Sequence, residues 1–197
     1  MRGKKTVGVV LAGGESRRFG EPKAFANFHG KTLFQHALDT LSPLTDEQLI
    51  VSHPQLKETF NRFTQVPVIE DVPAFQGMGP LAGIYSAMIA MPAEWYMILP
   101  CDAPLVPNAV FTYLLEHMGR EKDALGAVPL VARQIQPLIA VYRKDLQLTI
   151  KDLLTRGKRR VDALFDEAPI GQIKMDGRFD PALFANINTK DALQKLS

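Results

Sequence analysis

Cysteine is almost missing from this chain of 197 residues: Cys101 is the only one, which excludes an internal disulfide and every multi-cysteine zinc or iron–sulfur arrangement. Histidine is nearly as scarce. His29, His36, His53 and His117 form no close metal-ligand pair and read as structural or solvated side chains. Net charge is small too, because 23 basic residues stand against 21 acidic ones for a formal +2, and a general binder of nucleic acid or of membrane surfaces is not suggested. The basic start, Met1 to Thr6, runs into an apolar stretch of only about six residues that ends in Gly-Gly, too short for a signal-peptide core or a membrane span. The first strand of a cytoplasmic protein is expected there. Internal repeats, low-complexity tracts and linkers are also missing. With 46% hydrophobic residues the chain can build one sizeable core without staples, so a single domain over 1–197 is expected.

What is present is concentrated at the end of that first strand. Val9-Val10-Leu11-Ala12 leads into Gly13-Gly14, then Arg17, Arg18, Gly20 and Lys23 follow within ten residues. Glycines let a backbone approach a ligand closely, exposed amides can line an anion-binding concavity, and nearby cations neutralise a polyphosphate. By itself Gly-Gly is ordinary turn punctuation. The added density of glycine and cation points instead to a nucleoside triphosphate. Two familiar phosphate loops are excluded: Gly20 is followed by Glu21 rather than by Lys and Ser or Thr, and no G-x-G-x-x-G spacing occurs.

Apolar runs at Val7 to Leu11, Gln48 to Ser52, Trp95 to Leu99, Leu125 to Pro129 and Leu138 to Tyr142 read as strands, several buried on both faces. Helical stripes over Thr32 to Leu41, Leu81 to Met91 and Ala109 to Met118 alternate with them. Such alternation predicts a mainly parallel sheet with helices on both faces. Further on, Lys144 to Leu154 reads as helix, Lys158 to Phe165 as a short helix and Ile170 to Met175 as an edge strand. Asp176-Gly177-Arg178 then makes a turn, Phe184 to Ile187 a short strand, and Thr189 to Leu196 a closing helix capped by Thr189. Ligands of parallel sheets collect beyond the carboxyl ends of strands. The Gly13-Gly14 turn and Asp102 both fall at that edge, so they are expected to face one pocket.

Leu11-Ala12-Gly13-Gly14, Ser16-Arg17-Arg18-Phe19-Gly20 and Pro22-Lys23 resemble the signature loop of nucleotidyltransferases of the sugar-nucleotide pyrophosphorylase type. With Ile69-Glu70-Asp71, Gly79-Pro80-Leu81-Ala82-Gly83, Leu99-Pro100-Cys101-Asp102-Ala103-Pro104 and Asn186-Ile187-Asn188-Thr189, nearly the whole chain is similar to the molybdenum cofactor guanylyltransferase family. The resemblance implies a Rossmann-like α/β three-layer sandwich with a mainly parallel, mixed sheet of the nucleotide-diphospho-sugar transferase type. Its N-terminal part would bind nucleotide and its C-terminal part the acceptor. It implies transfer of GMP from GTP to molybdenum-bound molybdopterin with Mg²⁺ as cofactor, and contacts with molybdenum cofactor biosynthesis proteins and molybdoenzymes. Leu11, Ala12, Gly13 and Gly14 are implied nucleotide contacts, with Asp71 as a GTP-binding aspartate and Lys23 as a phosphate contact. Asp102 stands where the family has its magnesium aspartate.

Elementary chemistry fits these assignments. A phosphate nucleophile is already anionic, so the reaction asks for alignment and charge neutralisation at the α-phosphorus. A hard Mg²⁺ ion takes one or two carboxylates plus waters and phosphate oxygens, which suits a lone aspartate at a strand end. Asp102 reads otherwise as a helix cap, and Cys101 beside it as a small buried hydrophobe. Lys23 with Arg17 or Arg18 would stabilise departing pyrophosphate. Gly79, Pro80 and Leu81 open a helix whose free amides favour a phosphate or ribose oxygen. Where the family can have asparagine after the second strand this chain has Ser52, which weakens that nucleotide contact. Arg159, Arg160, Asn186 and Asn188 would bind the pterin and its phosphate, although Lys158-Arg159-Arg160 reads equally as a solvated helix face. The alternatives are CTP with molybdopterin, UTP or CTP with a sugar or polyol phosphate, or a non-catalytic nucleotide or cofactor carrier.

Overall fold

A computed structural model describes residues 3–14, 19–121 and 123–196. Its first strand, β1 (Thr6–Ala12), lies in the middle of the main sheet, hydrogen-bonded on both sides. That position explains its unbroken apolar sequence, since both of its faces are covered. The chain then forms a small antiparallel hairpin, β2 (Asn27–Phe28) and β3 (Lys31–Thr32), and enters α1 (Leu33–Leu41). Gln35 Oε1 accepts a hydrogen bond from Thr32 N at 2.9 Å, which satisfies a main-chain donor at the helix start. β4 (Glu47–Ser52), α2 (Lys57–Phe63), β5 (Val68–Ile69), α3 (Pro80–Ala90), β6 (Trp95–Pro100) and α4 (Asn108–Met118) complete the first half. Then come β7 (Gly126–Val131), β8 (Gln134–Ile135), β9 (Ala140–Arg143), α5 (Gln147–Thr155), β10 (Ile170–Lys174) and α6 (Lys190–Leu196).

The sheet order is β10-β7-β9-β6-β1-β4-β5, with β8 paired to β7. β1 pairs in parallel with β4 and β6, β4 with β5, and β10 with β7. β9 runs antiparallel to both β6 and β7. Because side chains alternate along a strand, the sheet feeds two cores. Val10, Ile50, Met97, Leu99 and Val141 pack with α1, α4 and Phe60 of α2 on one side. Val7, Val9, Leu49, Ile98 and Ala140 pack with α3 and α5 on the other. The result is the expected α/β sandwich of three layers with a mixed, mostly parallel sheet.

Several elements differ from the sequence reading, which also carries no sign of α2 or β8. The short helix placed at Lys158 starts at Val161 and is a 3₁₀ stretch through Asp166. The reason is the way α5 stops: Gly157 takes φ +78°, its N–H donates to Leu154 O, and Lys158 N–H donates to Leu153 O, a Schellman closure that turns the chain away. The strand expected over Phe184 to Ile187 does not form. Pro181 and the Asp180 carboxylate, which accepts from Ala182 N at 2.9 Å, instead begin a 3₁₀ turn over Pro181–Phe184. The β2–β3 hairpin was not anticipated. The closing helix is capped as expected, with Thr189 Oγ1 accepting from Ala192 N at 3.1 Å.

Candidate active site

Four parallel strands, β1, β4, β5 and β6, end along one edge of the sheet, and the turns that follow them surround a cleft of about 750 Å³. β1 delivers Leu11, Ala12, Gly13 and Gly14; β4 delivers Ser52 and His53; β5 leads to Asp71; β6 delivers Cys101 and Asp102. The two outermost of these in sequence meet through the backbone, because Cys101 N donates to Leu11 O at 3.1 Å. The glycine turn and the carboxylate therefore share one cavity.

Lys23 enters from a 3₁₀ turn, Lys23–Phe25, started by Pro22. That turn is fixed by its apolar members: Ala24 is buried, and the Phe25 ring lies 4.5 Å from Phe60 and 5.7 Å from Phe34, centroid to centroid. The ammonium reaches across the cleft, donating to Asp102 Oδ2 at 2.5 Å and to Asn188 Oδ1 at 3.1 Å. Both members of the ion pair are 16% exposed. Beginning, middle and end of the chain thus converge on one charged cluster.

The nucleotide side is built from smaller contacts. Ser52, 4% exposed, lines the cleft but turns its hydroxyl onto His53 O at 2.9 Å. Asp71 Oδ2 accepts from Gly77 N at 3.0 Å. Burial pushes its carboxyl above the ordinary aspartate range, while the Gly77 N–H and the nearby His53 act in the opposite direction. Gly79, at φ +80°, and Pro80 open α3 and line the cleft. Leu81 does not; it is fully buried in the core beneath α3. Two residues further, a Cβ on Gly83 would stand 3.2 Å from Leu11 and 3.3 Å from Val51, so this glycine lets the helix lie directly against the strand ends.

On the other side Asn186 lines the cleft, whereas Asn188 is occupied by Lys23. The backbone of Arg159 lies over the start of α3, its carbonyl 3.1 Å from where a Gly79 Cβ would be. Arg160 is well exposed and held by Asp162, with Nε and Nη2 at 2.9 and 2.7 Å from Oδ2. Neither arginine lines the cleft. Arg17 and Arg18 lie outside the described residues. Several lining residues carried no signal in the sequence reading, among them His53, Gln55, Gln76 and the run Gln136 to Ile139. His53 sits one position past the end of β4, which is the signal that would have found it. Gln136 to Ile139 reach the site only because β9 runs antiparallel.

Cys101 faces the cleft but is 4% exposed, and burial, with the Asp102 charge adding to it and Lys23 opposing, pushes its thiol up to about 12. It is a packed thiol rather than a nucleophile. N-ethylmaleimide at neutral pH is expected to leave the folded protein unlabelled and to label it fully in denaturant, as read by intact mass. Rapid labelling of the native chain would contradict this.

Among the described residues no three His, Cys, Asp or Glu side chains gather into a metal cage. A lone carboxylate open to a cleft suits a cation that brings its own phosphate oxygens and waters. No helix among the described residues is long and apolar enough to cross a membrane.

Residues 8–170 match the family model described as the MobA-like NTP transferase domain. A Bacillus cereus protein named "probable molybdenum cofactor guanylyltransferase" is 43% identical over 188 residues, covering 95% of this chain and 93% of its own length. One of the same name from Bacillus anthracis is 42% identical with the same coverage. Among solved structures, molybdopterin-guanine dinucleotide biosynthesis protein A from Archaeoglobus fulgidus superposes with a TM-score of 0.80 at 23% identity, covering 96% of both chains. A CMP:2-keto-3-deoxy-manno-octonic acid synthetase, whose structure is a complex with CTP, superposes with a TM-score of 0.76 at 15% identity, covering 98% of this chain and 96% of its own. The two structural likenesses speak to fold.

Proposed function

The chain belongs to the MobA-like NTP transferase family, and from that premise we propose that it transfers GMP from GTP to the terminal phosphate of molybdenum-bound molybdopterin, with pyrophosphate as the second product. An acceptor phosphate oxygen attacks the α-phosphorus of GTP. A new P–O bond forms as the bond from the α-phosphorus to the bridging oxygen breaks, and that electron pair leaves with pyrophosphate. No proton has to be removed from the nucleophile, so the work left to the protein is alignment and charge neutralisation. The observation that carries this reading is the convergence of Lys23 and Asp102 at a cleft edged by Gly13 and Gly14.

Lys23 is the point charge for the β and γ phosphates and for the departing pyrophosphate. Asp102 is the carboxylate that would hold magnesium, whose bound form supplies charge neutralisation and a fixed alignment of the phosphate oxygens. With the Lys23 ammonium on Oδ2, a cation held at Asp102 would weaken that pair by its own positive charge and favour the ammonium turning toward phosphate. Main-chain groups of Leu11 to Gly14 and the Asp71 carboxylate suit the guanine end, where N1–H and N2–H need acceptors. Asn186 and the Gln136 to Ile139 run lie on the acceptor side.

Pyrophosphate release from each of the four NTPs, with molybdopterin and Mg²⁺ present, tests the reading. Release with GTP alone is expected. Comparable turnover with CTP would overturn the choice of base, which Ser52 leaves to fewer contacts than the family's asparagine would; failure to release pyrophosphate from any of the four would favour a carrier.

A further inference from the structure

The C-terminal segment is tied to each part of the charged cluster separately. Ile187 N donates to the main-chain oxygen of Asp102 at 2.7 Å. Asn188 Oδ1 accepts from Lys23 Nζ at 3.1 Å. Lys190 pairs with Glu21, two positions before Lys23, at 2.8 Å. These polar ties are seated on an apolar anchor: Ile187 is fully buried with Phe19, Phe28 and Leu33, and Leu193 and Leu196 of α6 pack onto the same group. Phe19 precedes Lys23 on the phosphate loop, and Leu33 opens α1 just after it. One short stretch thus fastens the loop carrying the ammonium to the strand end carrying the carboxylate.

Ile187 is buried in the core, while its neighbours Asn186 and Asn188 stay at least partly accessible. Their roles then separate. Asn186 is exposed and lines the cleft, but the amide oxygen of Asn188 is already engaged by the ammonium. A lysine has three donors on a flexible stem and takes whatever geometry its acceptors define. The Asp102 carboxylate, being charged, is a stronger acceptor than the Asn188 amide and favours keeping Nζ on itself. A neutral second acceptor offers a position that persists when Asp102 takes a cation.

Resting on the transferase reading above, we propose that Asn188 is a positioning residue for Lys23: its amide oxygen holds the ammonium at the mouth of the triphosphate site, and it takes no part in binding the acceptor. Asn188→Ala is expected to lower kcat about tenfold, the equivalent of one good hydrogen bond, and to leave KM for molybdopterin within about twofold. In a Lys23→Ala background the Asn188→Ala change is expected to cost almost nothing further, because the group it positions is gone. A rise in KM for molybdopterin with unchanged kcat, or full additivity of the two substitutions, would overturn the proposal. The same four proteins are to be titrated calorimetrically with magnesium tripolyphosphate, which needs neither guanine nor pterin. If the wild type proves inactive with GTP, the transferase reading fails on its own, and the additivity of Lys23 and Asn188 toward tripolyphosphate still decides this inference. Binding weakened by Asn188→Ala only when Lys23 is present is the supporting result; equal weakening in both backgrounds is the opposing one.

Discussion

Replacement of Asp102 by Asn is expected to lower kcat for guanylyl transfer by about 10²- to 10³-fold, the scale of about 3–4 kcal/mol for one preorganised electrostatic group, while the fold survives. Asparagine has the same shape and keeps one carbonyl oxygen within reach of Lys23 Nζ, which now stands 2.5 Å from Oδ2. The main-chain bonds that hold the turn, Ile187 N to Asp102 O and Cys101 N to Leu11 O, do not involve the side chain. Only the negative charge is lost, and with it the ligand for a hard cation. Pyrophosphate release as a function of Mg²⁺ concentration, beside a circular-dichroism melt, separates the two effects. The variant should reach its low plateau only at raised Mg²⁺ and melt modestly below the wild type, because the Lys23 ammonium loses its counter-charge but keeps neutral oxygens to donate to. Near-wild-type turnover at saturating Mg²⁺ would remove Asp102 from the metal site.

How much of this was legible in the chain follows from where each signal resides. The central strands β1 and β6 are apolar along their whole length because both faces are covered, and such runs read directly as strands. Their ends bear Gly13-Gly14 and Cys101-Asp102, so local sequence places both at one edge of a parallel sheet. The direction of β9 is different in kind. Ala140–Arg143 is short and apolar whichever way it runs, and only its pairing with β6 and β7 makes it antiparallel and carries Gln136 to Ile139 into the cleft. Leu81 shows a local rule misapplied: once Pro80 starts a helix, successive residues rotate by about 100°, and the leucine turns into the core. Arg160 reads equally as an acceptor contact or as part of a solvated helix face, and its pairing with Asp162, two residues on, is settled only by the folded chain. The Lys23–Asn188 contact spans 165 positions and has no local signature at all.

Lys23→Met carries the second large expected effect, and it combines a catalytic loss with a measurable cost in stability. Without the ammonium, the β and γ phosphates and the leaving pyrophosphate lose their point charge, and a fall of about 10²-fold or more in kcat is expected. In the resting protein the same change strips Asp102, 16% exposed, of its partner. Removing one member of a largely buried pair costs more than the pair contributes, because the remaining charge keeps its desolvation penalty. About 2 kcal/mol of destabilisation is the expected size for a carboxylate that retains some contact with water. Methionine preserves most of the apolar stem, so packing of the Lys23–Phe25 turn against Phe34 and Phe60 should persist. Adding Asp102→Asn to Lys23→Met removes the stranded charge, and stability should return toward the wild type while turnover stays at its lowest level. Urea denaturation, read as a shift in midpoint at constant slope, measures the first effect and pyrophosphate release the second. Should the double variant remain as unstable as Lys23→Met, the cost would lie in packing, and the coupling between Lys23 and Asp102 would have to be withdrawn.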